Sequence, residues 1–311
     1  MIKILITEFL NQEALKNLHQ DFKITYRSES WSDKDYLENE IHNFDGIIVR
    51  NKTKLDKFLL EKALKLKFIG RLGVGLDNID TEYCKNNSIF VQPATGMNAD
   101  SVAEYVINSS LTLLKKTTIV NAQTQNGKWP RTTINTMEIS GKTLGLIGFG
   151  NISKKVLKLA NAFDVSTITF DPYVSLEETN SHNVRRVSFE EILNFADIIS
   201  IHVPLNNETK YMFNNESFIK MKKKPIIINS SRGGIINETD LLNAYFNNNI
   251  SGFALDVFES EPVNETFLSK ITNEMNCILT PHNAGVTEES NERVSKFIIK
   301  KTNEFLQNFK D

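Results

Sequence analysis

The chain has 311 residues, which is long enough for two domains of ordinary size. Its 36 basic and 38 acidic residues give a formal charge of -2, so neither nucleic acid nor an anionic membrane is expected as a partner. No apolar segment is long enough to span a bilayer, and no signal peptide is recognised. Cys84 and Cys277 lie far apart and imply neither a disulfide framework nor a metal site. The expected location is the cytoplasm.

The first hundred residues alternate short apolar runs with helical patterns, which predicts a small parallel α/β unit. Ser32, followed three residues later by Asp35, predicts a capping box for the second helix. The predicted strands are 2–6, 22–26, 46–49, 68–70 and 89–91, and the predicted helices are 11–18, 32–41, 58–64 and 83–85. This unit has no GxGxxG turn of its own, so we interpret it as a scaffold that carries substrate loops.

A break at residues 93–98 precedes a long helix, predicted from Ala99 to about Lys115, and marks the first domain crossing. A last helix is predicted from Thr287 to about Phe309, folding back onto the first domain. Further strands are predicted at 143–147, 166–170, 197–202, 225–229, 252–257 and 277–279. The predicted fold is α/β, with two Rossmann-like or flavodoxin-like parallel-sheet domains. Residues 98–284 form the cofactor domain, inserted between residues 1–97 and 285–311 of the substrate domain.

Residues 141–171 contain a strand, a glycine turn, a helix, a second strand and an acid at that strand's end. This is the βαβ dinucleotide fingerprint in its proper context. Gly148 permits the turn, and Gly150 lets the backbone approach a pyrophosphate. Asn151 and Ile152 begin the helix, whose free amides and positive dipole end favour that anion. The sequence therefore predicts a dinucleotide cofactor.

Two residues refine this cofactor prediction. Ser153 replaces the third glycine of the fingerprint, and we expect a slight shift of the helix rather than loss of binding. Asp171 is placed to accept hydrogen bonds from the ribose hydroxyls of the adenosine. Because its carboxylate would repel a 2′-phosphate, we expect NAD rather than NADP.

Eight motifs in order give the sequence a family resemblance. They lie at residues 70–80, 101–104, 148–153, 202–205, 229–234, 254–258, 261–262 and 280–282. In these the chain resembles the D-isomer-specific 2-hydroxyacid dehydrogenases, over essentially its whole length. The resemblance implies an NAD-dependent oxidoreductase that interconverts a small 2-hydroxy acid and its 2-oxo acid, and a homodimer built around the helix at Ala99 and residues 121–137.

The resemblance also implies a catalytic trio of Arg232, Glu261 and His282. A guanidinium forks onto the carboxylate and carbonyl oxygens of a 2-oxo acid, which suits Arg232. Imidazole titrates near neutral pH, so His282 is suited to donate a proton in reduction and accept it in oxidation. A neighbouring carboxylate, Glu261, would favour the protonated ring and fix its orientation. The sequence alone does not show that Glu261 touches His282.

Further contacts are carried over from the family. Residues His202, Pro204, Thr209, Ser230, Asp256 and Gly285 are assigned to the cofactor, with Asp256 placed to accept from the nicotinamide carboxamide. For the substrate carboxylate, the resemblance implies a cradle of backbone amides in the Leu72–Gly75 loop, with Leu72, Gly73 and Val74 named as substrate-binding residues.

Within the family, the chain most resembles the 3-phosphoglycerate dehydrogenases, which makes 3-phosphoglycerate and serine biosynthesis the favoured substrate and pathway. Arg50, Lys54, Arg71 and Arg131 are candidate cations for a phosphate, Arg131 from a neighbouring subunit. Since the sequence ends at Asp311, without a regulatory domain, no feedback by serine through such a domain is expected. In a departure from the family pattern, Asn283 follows His282, where an apolar residue is more usual.

Two alternatives stay open. One is a reductase of unphosphorylated glyoxylate or hydroxypyruvate, in which the same arginines are surface residues. The other is a binding protein that senses NAD(H) on the same fold without turnover, against which the intact trio argues.

Overall fold

In this computed structural model, residues 1–307 are described, and the chain forms two compact units. The first unit comprises Met1–Asn98 with the segment that begins at Val286, and the second comprises Ala99–Gly285. The final residues of the predicted last helix, up to Phe309, lie outside the described residues.

The strands of the described chain are short and mostly buried. They are β1 (Lys3–Ile6), β2 (Lys23–Tyr26), β3 (Gly46–Val49), β4 (Phe68–Arg71), β5 (Phe90–Pro93), β6 (Thr143–Ile147), β7 (Ser166–Phe170), β8 (Arg185–Arg186), β9 (Ile198–Ile201), β10 (Ile226–Asn229), β11 (Gly252–Leu255) and β12 (Cys277–Leu279).

The helices connect successive strands or cover the sheets. They are α1 (Gln12–Leu15), α2 (Lys34–Glu40), α3 (Lys57–Lys62), α4 (Thr81–Asn86), α5 (Ala99–Lys115), α6 (Thr117–Gln125), α7 (Asn151–Asn161), α8 (Leu176–Ser181), α9 (Phe189–Phe195), α10 (Asn215–Ile219), α11 (Glu238–Phe246), α12 (Glu265–Leu268) and α13 (Glu288–Gln307), with 3-10 turns at Ser30–Ser32 and Ile41–Asn43.

The first unit is built on a parallel sheet of five strands in the order β2-β1-β3-β4-β5. Its central strand β3 is an unbroken apolar run, buried throughout, as expected for a parallel strand covered on both faces. One face packs against α13, which contributes Val294, Ile298 and Ile299 to the core around Ile4 and Phe68. The other face packs against α2 and α3.

The second unit is built on a parallel sheet of seven strands in the order β12-β11-β10-β9-β6-β7-β8. Strand order reverses between β9 and β6, so the connections from these strands leave to opposite sides and open a crevice at their carboxyl ends. The amphipathic α7 and the long α5 cover one face of this sheet. Two parallel-sheet α/β domains were predicted, and this prediction is confirmed.

Several local predictions need correction. The capping box at Ser32 is wrong, because the hydroxyl of Ser32 closes a 3-10 turn onto Glu29 and Asp33 caps α2 by accepting from the amide of Tyr36. The helix predicted at 11–18 ends at Leu15. The short α6 and α8 to α12 were not predicted at all, since their few turns carry weak periodicity. Within residues 1–307, no helix combines the length and apolarity needed to cross a bilayer.

Candidate active site

The predicted cofactor residues of the second unit follow the carboxyl ends of neighbouring strands. Gly148 follows β6, Asp171 follows β7, His202 follows β9, Ser230 follows β10 and Asp256 follows β11. Parallel strands place all these ends at one edge of the sheet, on either side of the switch point between β6 and β9. The topology therefore brings together residues that are up to 108 positions apart in the sequence, from 148 to 256.

The glycine turn is sterically demanding at its first residue. Gly148 has φ of +89°, and a Cβ placed there would lie 2.7 Å from the carbonyl oxygen of His202. Ser153, at the third position of the fingerprint, is fully buried and donates its hydroxyl to the carbonyl of Gly148 at 2.6 Å. Serine in place of glycine thus adds a hydrogen bond that ties the helix to the turn.

The start of α7 is open to an anion. A Cβ on Gly150 would meet no atom within 4 Å, and no side chain caps the helix. The first-turn amides, including those of Asn151 and Ile152, therefore keep their donors at the positive end of the helix dipole. This arrangement fits the pyrophosphate of a dinucleotide, because the backbone donates and no side chain stands in front of it.

The carboxylate of Asp171 supports the glycine turn. Its Oδ2 accepts from the amide of Phe149 at 2.8 Å, and its Oδ1 accepts from the amides of Tyr173 and Val174 at 2.8 and 3.2 Å. A carboxylate oxygen accepts two hydrogen bonds, so Oδ2 retains capacity for a ribose hydroxyl. The carboxylate is thereby oriented before any cofactor binds.

Two buried polar atoms at this edge have no hydrogen-bond partner in the described chain, Nδ1 of His202 and Oγ of Ser230. Nε2 of His202 lies 2.9 Å from the hydroxyl of Ser200. Burial lowers the pKa of His202 to about 3, so its ring is neutral at physiological pH. Buried polar atoms without partners are costly, and a bound cofactor that supplies polar groups would satisfy them.

Thr209 and Pro204 shape the loop after β9. The hydroxyl of Thr209 donates to the carbonyl of Pro204 at 2.6 Å, and the amide of Asn206 donates to that hydroxyl at 2.9 Å. Thr209 is buried, so in this structure its hydroxyl serves the loop itself. Gly285, the last residue of the second unit, follows the loop that carries His282.

Two members of the predicted catalytic trio are in direct contact. Nδ1 of His282 lies 2.8 Å from Oε2 of Glu261, and Oε1 of Glu261 accepts from the amide of Phe258 at 3.3 Å. Both side chains remain about two-fifths exposed, 42% for His282 and 39% for Glu261, so a small substrate has access to them. With Nδ1 held by the carboxylate, Nε2 is the ring nitrogen left for proton transfer.

Asp256 anchors the loop of His282. The amide of His282 donates to the carbonyl of Asp256 at 2.8 Å, while the amides of Asn283 and Ala284 donate to its carboxylate at 2.8 and 2.9 Å. His282 has φ of +55°, an unusual conformation for a residue with a Cβ, which these three bonds hold in place. Burial is the main cause that raises the pKa of Asp256.

Two residues missed by the sequence analysis complete this anchor. The hydroxyl of Thr280 donates to Oδ1 of Asp256 at 2.6 Å, and the hydroxyl of Tyr105, on α5, lies 2.9 Å from that of Thr280. With Thr280 donating to the carboxylate, Tyr105 donates to Thr280. Thr280 belongs to the 280–282 motif, so a signal for it existed, whereas nothing marked Tyr105.

Arg232 stands on a turn shaped by Asn229, which the sequence analysis also missed. The buried side-chain amide of Asn229 donates to the carbonyl of Arg232 at 2.9 Å, and its oxygen accepts from the amide and hydroxyl of Ser231. Arg232 itself is half-buried, and its guanidinium donates to the carbonyl of Ser231 at 2.5 Å.

In the first unit, Arg50 follows β3 on a loop held by the buried carboxylate of Glu8. That carboxylate accepts from the amides of Arg50, Lys52 and Thr53 at 2.8 to 3.1 Å. The guanidinium of Arg50 donates to Oδ1 of Asn291 at 2.7 Å. Burial lowers the pKa of Arg50, while the charge of Glu8 acts in the opposite direction.

Arg71 ends the neighbouring strand β4 and folds back over the predicted cradle. A Cβ on Gly73 would lie 1.5 Å from Nη1 of Arg71, so a larger residue there would displace this guanidinium. The cradle itself is smaller than predicted, because the amide of Leu72 donates to Val49 and that of Gly73 donates to the carbonyl of Arg71. Within residues 1–307, the amides of Val74 and Gly75 remain for a carboxylate.

The other two candidate cations, Lys54 and Arg131, have exposed side chains. Arg131 lies in an irregular segment that follows α6 in the second unit. Its predicted role in a neighbouring subunit stays a prediction.

Comparison with known proteins places the chain in a family. Residues 107–284 match the model of the NAD-binding domain of D-isomer-specific 2-hydroxyacid dehydrogenases. The chain is 37% identical over 296 residues to an (S)-sulfolactate dehydrogenase from Chromohalobacter salexigens, covering 95% of each protein. It is 34% identical over 307 residues to a D-3-phosphoglycerate dehydrogenase from Bacillus subtilis, covering 99% of the chain but 57% of that protein.

A solved structure agrees with these relatives. D-lactate dehydrogenase from Aquifex aeolicus, complexed with NAD and lactic acid, superimposes with a TM-score of 0.85 at 31% identity, covering 98% of the chain and 96% of that structure. The family model and this structure both support NAD as the cofactor. The chain belongs to the D-isomer-specific 2-hydroxyacid dehydrogenase family, and its second unit is the family's NAD-binding domain.

Proposed function

We propose that the protein interconverts a D-2-hydroxy acid and its 2-oxo acid with NAD, and that this substrate carries a second anionic group at C3. 3-Phosphoglycerate, with 3-phosphohydroxypyruvate as its oxo form, is the first candidate. The proposal of a second anionic group rests on the half-buried guanidinium of Arg50, which lies on a loop anchored by Glu8.

The catalytic trio supplies the chemistry of this reaction. Arg232 binds the substrate carboxylate and carbonyl oxygen as a fork. NADH, when bound, supplies the hydride to C2 of the oxo acid. Nε2 of His282 gives its proton to the carbonyl oxygen, and Glu261, 2.8 Å from Nδ1, holds the ring in orientation for this step. In oxidation the same nitrogen accepts the proton.

A second anion is favoured by the chemistry of the first unit. Within residues 1–307, no carboxylate forms an ion pair with Arg50, since the oxygens of Glu8 accept from backbone amides and Asn291 is a neutral partner. The charge of Glu8 offsets only part of the cost of burying this guanidinium, and an anionic ligand would relieve the rest. Arg71 ends the adjacent strand and adds a second positive charge to the same edge of the sheet.

A sulfonate is a specific alternative to the phosphate, because the Chromohalobacter relative is a sulfolactate dehydrogenase and matches 95% of the chain. Both groups present several oxygens to guanidinium donors, but they differ in charge and in distance from C2. A homodimer is also part of the proposal, with Arg131 reaching the site of the neighbouring subunit.

The test is NADH oxidation against phosphohydroxypyruvate, sulfopyruvate, hydroxypyruvate and glyoxylate, with Arg50→Gln in parallel. Loss of a charged hydrogen bond of about 1.5–3 kcal/mol predicts a roughly 10- to 100-fold fall in kcat/KM for the anionic substrates alone. Lys65→Ala is the matched control, because this exposed cation precedes β4 at the opposite edge of the same sheet.

The outcomes separate the alternatives. If hydroxypyruvate or glyoxylate is preferred and Arg50→Gln leaves kcat/KM unchanged, a broader reductase is supported. The proposal that the substrate carries a second anionic group would then be wrong. Tight NADH binding without turnover of any 2-oxo acid would support the sensor alternative instead.

A further inference from the structure

The loops that carry Arg232 and Glu261 touch each other backbone to backbone. They follow the neighbouring strands β10 and β11, which run parallel in register. A Cβ on Gly233 would lie 1.7 Å from the carbonyl oxygen of Phe258 and 2.2 Å from its carbonyl carbon. No side chain separates the two loops at this point, so the position of one sets the position of the other.

Beside this contact, two glutamates exchange hydrogen bonds. The amide of Glu238 donates to Oε1 of Glu259 at 2.9 Å, and the amide of Glu259 donates to Oε1 of Glu238 at 2.6 Å. Oε2 of Glu259 also accepts from the hydroxyl of Tyr211 at 3.2 Å. We call this reciprocal pair the Glu238–Glu259 clamp.

A pair of carboxylates is an unexpected choice at this position, because like charges repel. Glu238 lies in the first turn of α11, where the helix dipole favours negative charge. Each carboxylate also accepts an amide hydrogen, which offsets part of the repulsion. The two carboxylates can lie close together because they accept hydrogen bonds from backbone amides of both loops.

The clamp is connected to Glu261 through the backbone of Phe258. Glu259 follows Phe258, whose amide donates to Oε1 of Glu261 at 3.3 Å. The ring of Phe258 is buried and packs edge-on against Phe267, with centroids 6.2 Å apart. The backbone that orients Glu261 is therefore fixed by the clamp on one side and by core packing on the other.

We propose that Glu238 and Glu259 are positioning residues for the reaction: they lock the Arg232 loop to the Glu261 loop and hold Glu261 against His282. The inference rests on the proposed function, because that function assigns the proton transfer to Glu261 and His282. The clamp acts through hydrogen-bond acceptors rather than through charge.

The test compares Glu238→Ala and Glu259→Ala with Glu238→Gln and Glu259→Gln in the full chain. A glutamine keeps an acceptor oxygen and loses only the charge, whereas alanine removes the acceptor. Because a misplacement of about 1 Å costs roughly a hundredfold in rate, the alanine variants are expected to lose about ten- to a hundredfold in kcat. The dissociation constant for NADH, measured by fluorescence, stays unchanged, and the glutamine variants recover most of kcat.

Glu190→Ala is the matched control, since Glu190 is an exposed carboxylate in the first turn of α9. Amide hydrogen exchange of residues 257–262 provides a readout that needs no turnover. This segment exchanges faster in the alanine variants than in the glutamine variants or the control.

The outcomes distinguish failure of the clamp from failure of the proposed function. If the native protein turns over no 2-oxo acid, the proposed function fails. Hydrogen exchange of residues 257–262 then shows by itself whether the clamp holds the Glu261 loop. If the native protein is active and the alanine variants keep both kcat and slow exchange, the clamp is overturned. Glutamine variants as slow as the alanine variants would overturn the acceptor role.

Discussion

The amide of His282 donates to the carbonyl oxygen of Asp256 at 2.8 Å, and the next two amides donate to the carboxylate of the same residue. One aspartate thus holds three successive residues of the catalytic loop, with His282 in the left-handed region. The carboxylate of Asp256 thereby sets the position of His282 through the backbone that follows it.

This relationship predicts that Asp256→Asn lowers both activity and stability. The asparagine amide presents donors to the amide of Ala284, which leaves a buried donor unsatisfied at a cost of about 1–3 kcal/mol. We expect a lower Tm from this cost. We also expect a lower kcat, because the loop of His282 loses one of its anchors and a misplacement of about 1 Å costs roughly a hundredfold in rate. Thr280→Val, which removes only one of the donors, should have a smaller effect. A native kcat in Asp256→Asn would mean that other contacts suffice to hold the loop.

The geometry of the glycine turn predicts that Gly150→Ala weakens cofactor binding without lowering the stability of the protein. Gly150 has φ of -85° and open space at its Cβ position, so alanine fits the protein without strain. The added methyl group stands where the backbone would meet the pyrophosphate. We expect an unchanged Tm without cofactor but weaker binding of NADH in a calorimetric titration. Gly148→Ala is the contrast, since its φ of +89° and the 2.7 Å approach to His202 predict a lower Tm as well. Native affinity in Gly150→Ala would place the pyrophosphate elsewhere.

Asp171 predicts a preference for NADH over NADPH. Its carboxylate is held rigidly by three amides and would repel a 2′-phosphate at the ribose. We expect kcat/KM to be higher with NADH, and Asp171→Asn to narrow the difference, because this variant keeps an acceptor oxygen and removes the charge. The comparison uses one saturating 2-oxo acid for both cofactors. A native preference for NADPH would contradict the prediction.

The partly buried ring of His202, whose Nδ1 has no partner in the described chain, predicts a loss of stability on acidification. Burial lowers the pKa of His202 to about 3, below the ordinary value of about 6.5 for an unfolded chain. The unfolded state therefore binds a proton as the pH falls below about 6.5, before the folded state does, and unfolding is favoured from there toward pH 3. We expect the free energy of unfolding to fall less between pH 7 and pH 5 in His202→Gln than in the native protein. In an NMR titration, the native ring should show no midpoint between pH 5 and pH 8.

The sequence was sufficient for the features that depend on neighbours along the chain. The strand at 143–147, the helix from Asn151 and the strand at 166–170 have the predicted limits, because a buried strand, a glycine turn and an amphipathic helix each leave a local pattern. The same holds for α5, from Ala99 to Lys115. The motifs that carried the family resemblance are likewise local, and the family is confirmed.

The sequence was insufficient wherever one loop supports another. Glu8 holds the loop of Arg50 across 42 positions, because β1 and β3 are neighbours in the sheet although β2 separates them in the chain. Tyr105 reaches Thr280 across 175 positions. Nothing in the sequence around a glutamate or a tyrosine indicates such a distant partner, because the partner is whichever polar group the topology brings near.

The amino-acid sequence by itself therefore determined the α/β class and the dinucleotide turn, because each leaves a short-range pattern, whereas the trio was implied by the family resemblance. Only the tertiary structure decided that Glu261 touches His282, that Asp256 anchors the loop of His282, and that Glu238 and Glu259 join two catalytic loops. These contacts depend on which strands lie side by side and in which register. Strand order is fixed by the packing of the whole sheet and its helices, and no local pattern contains it.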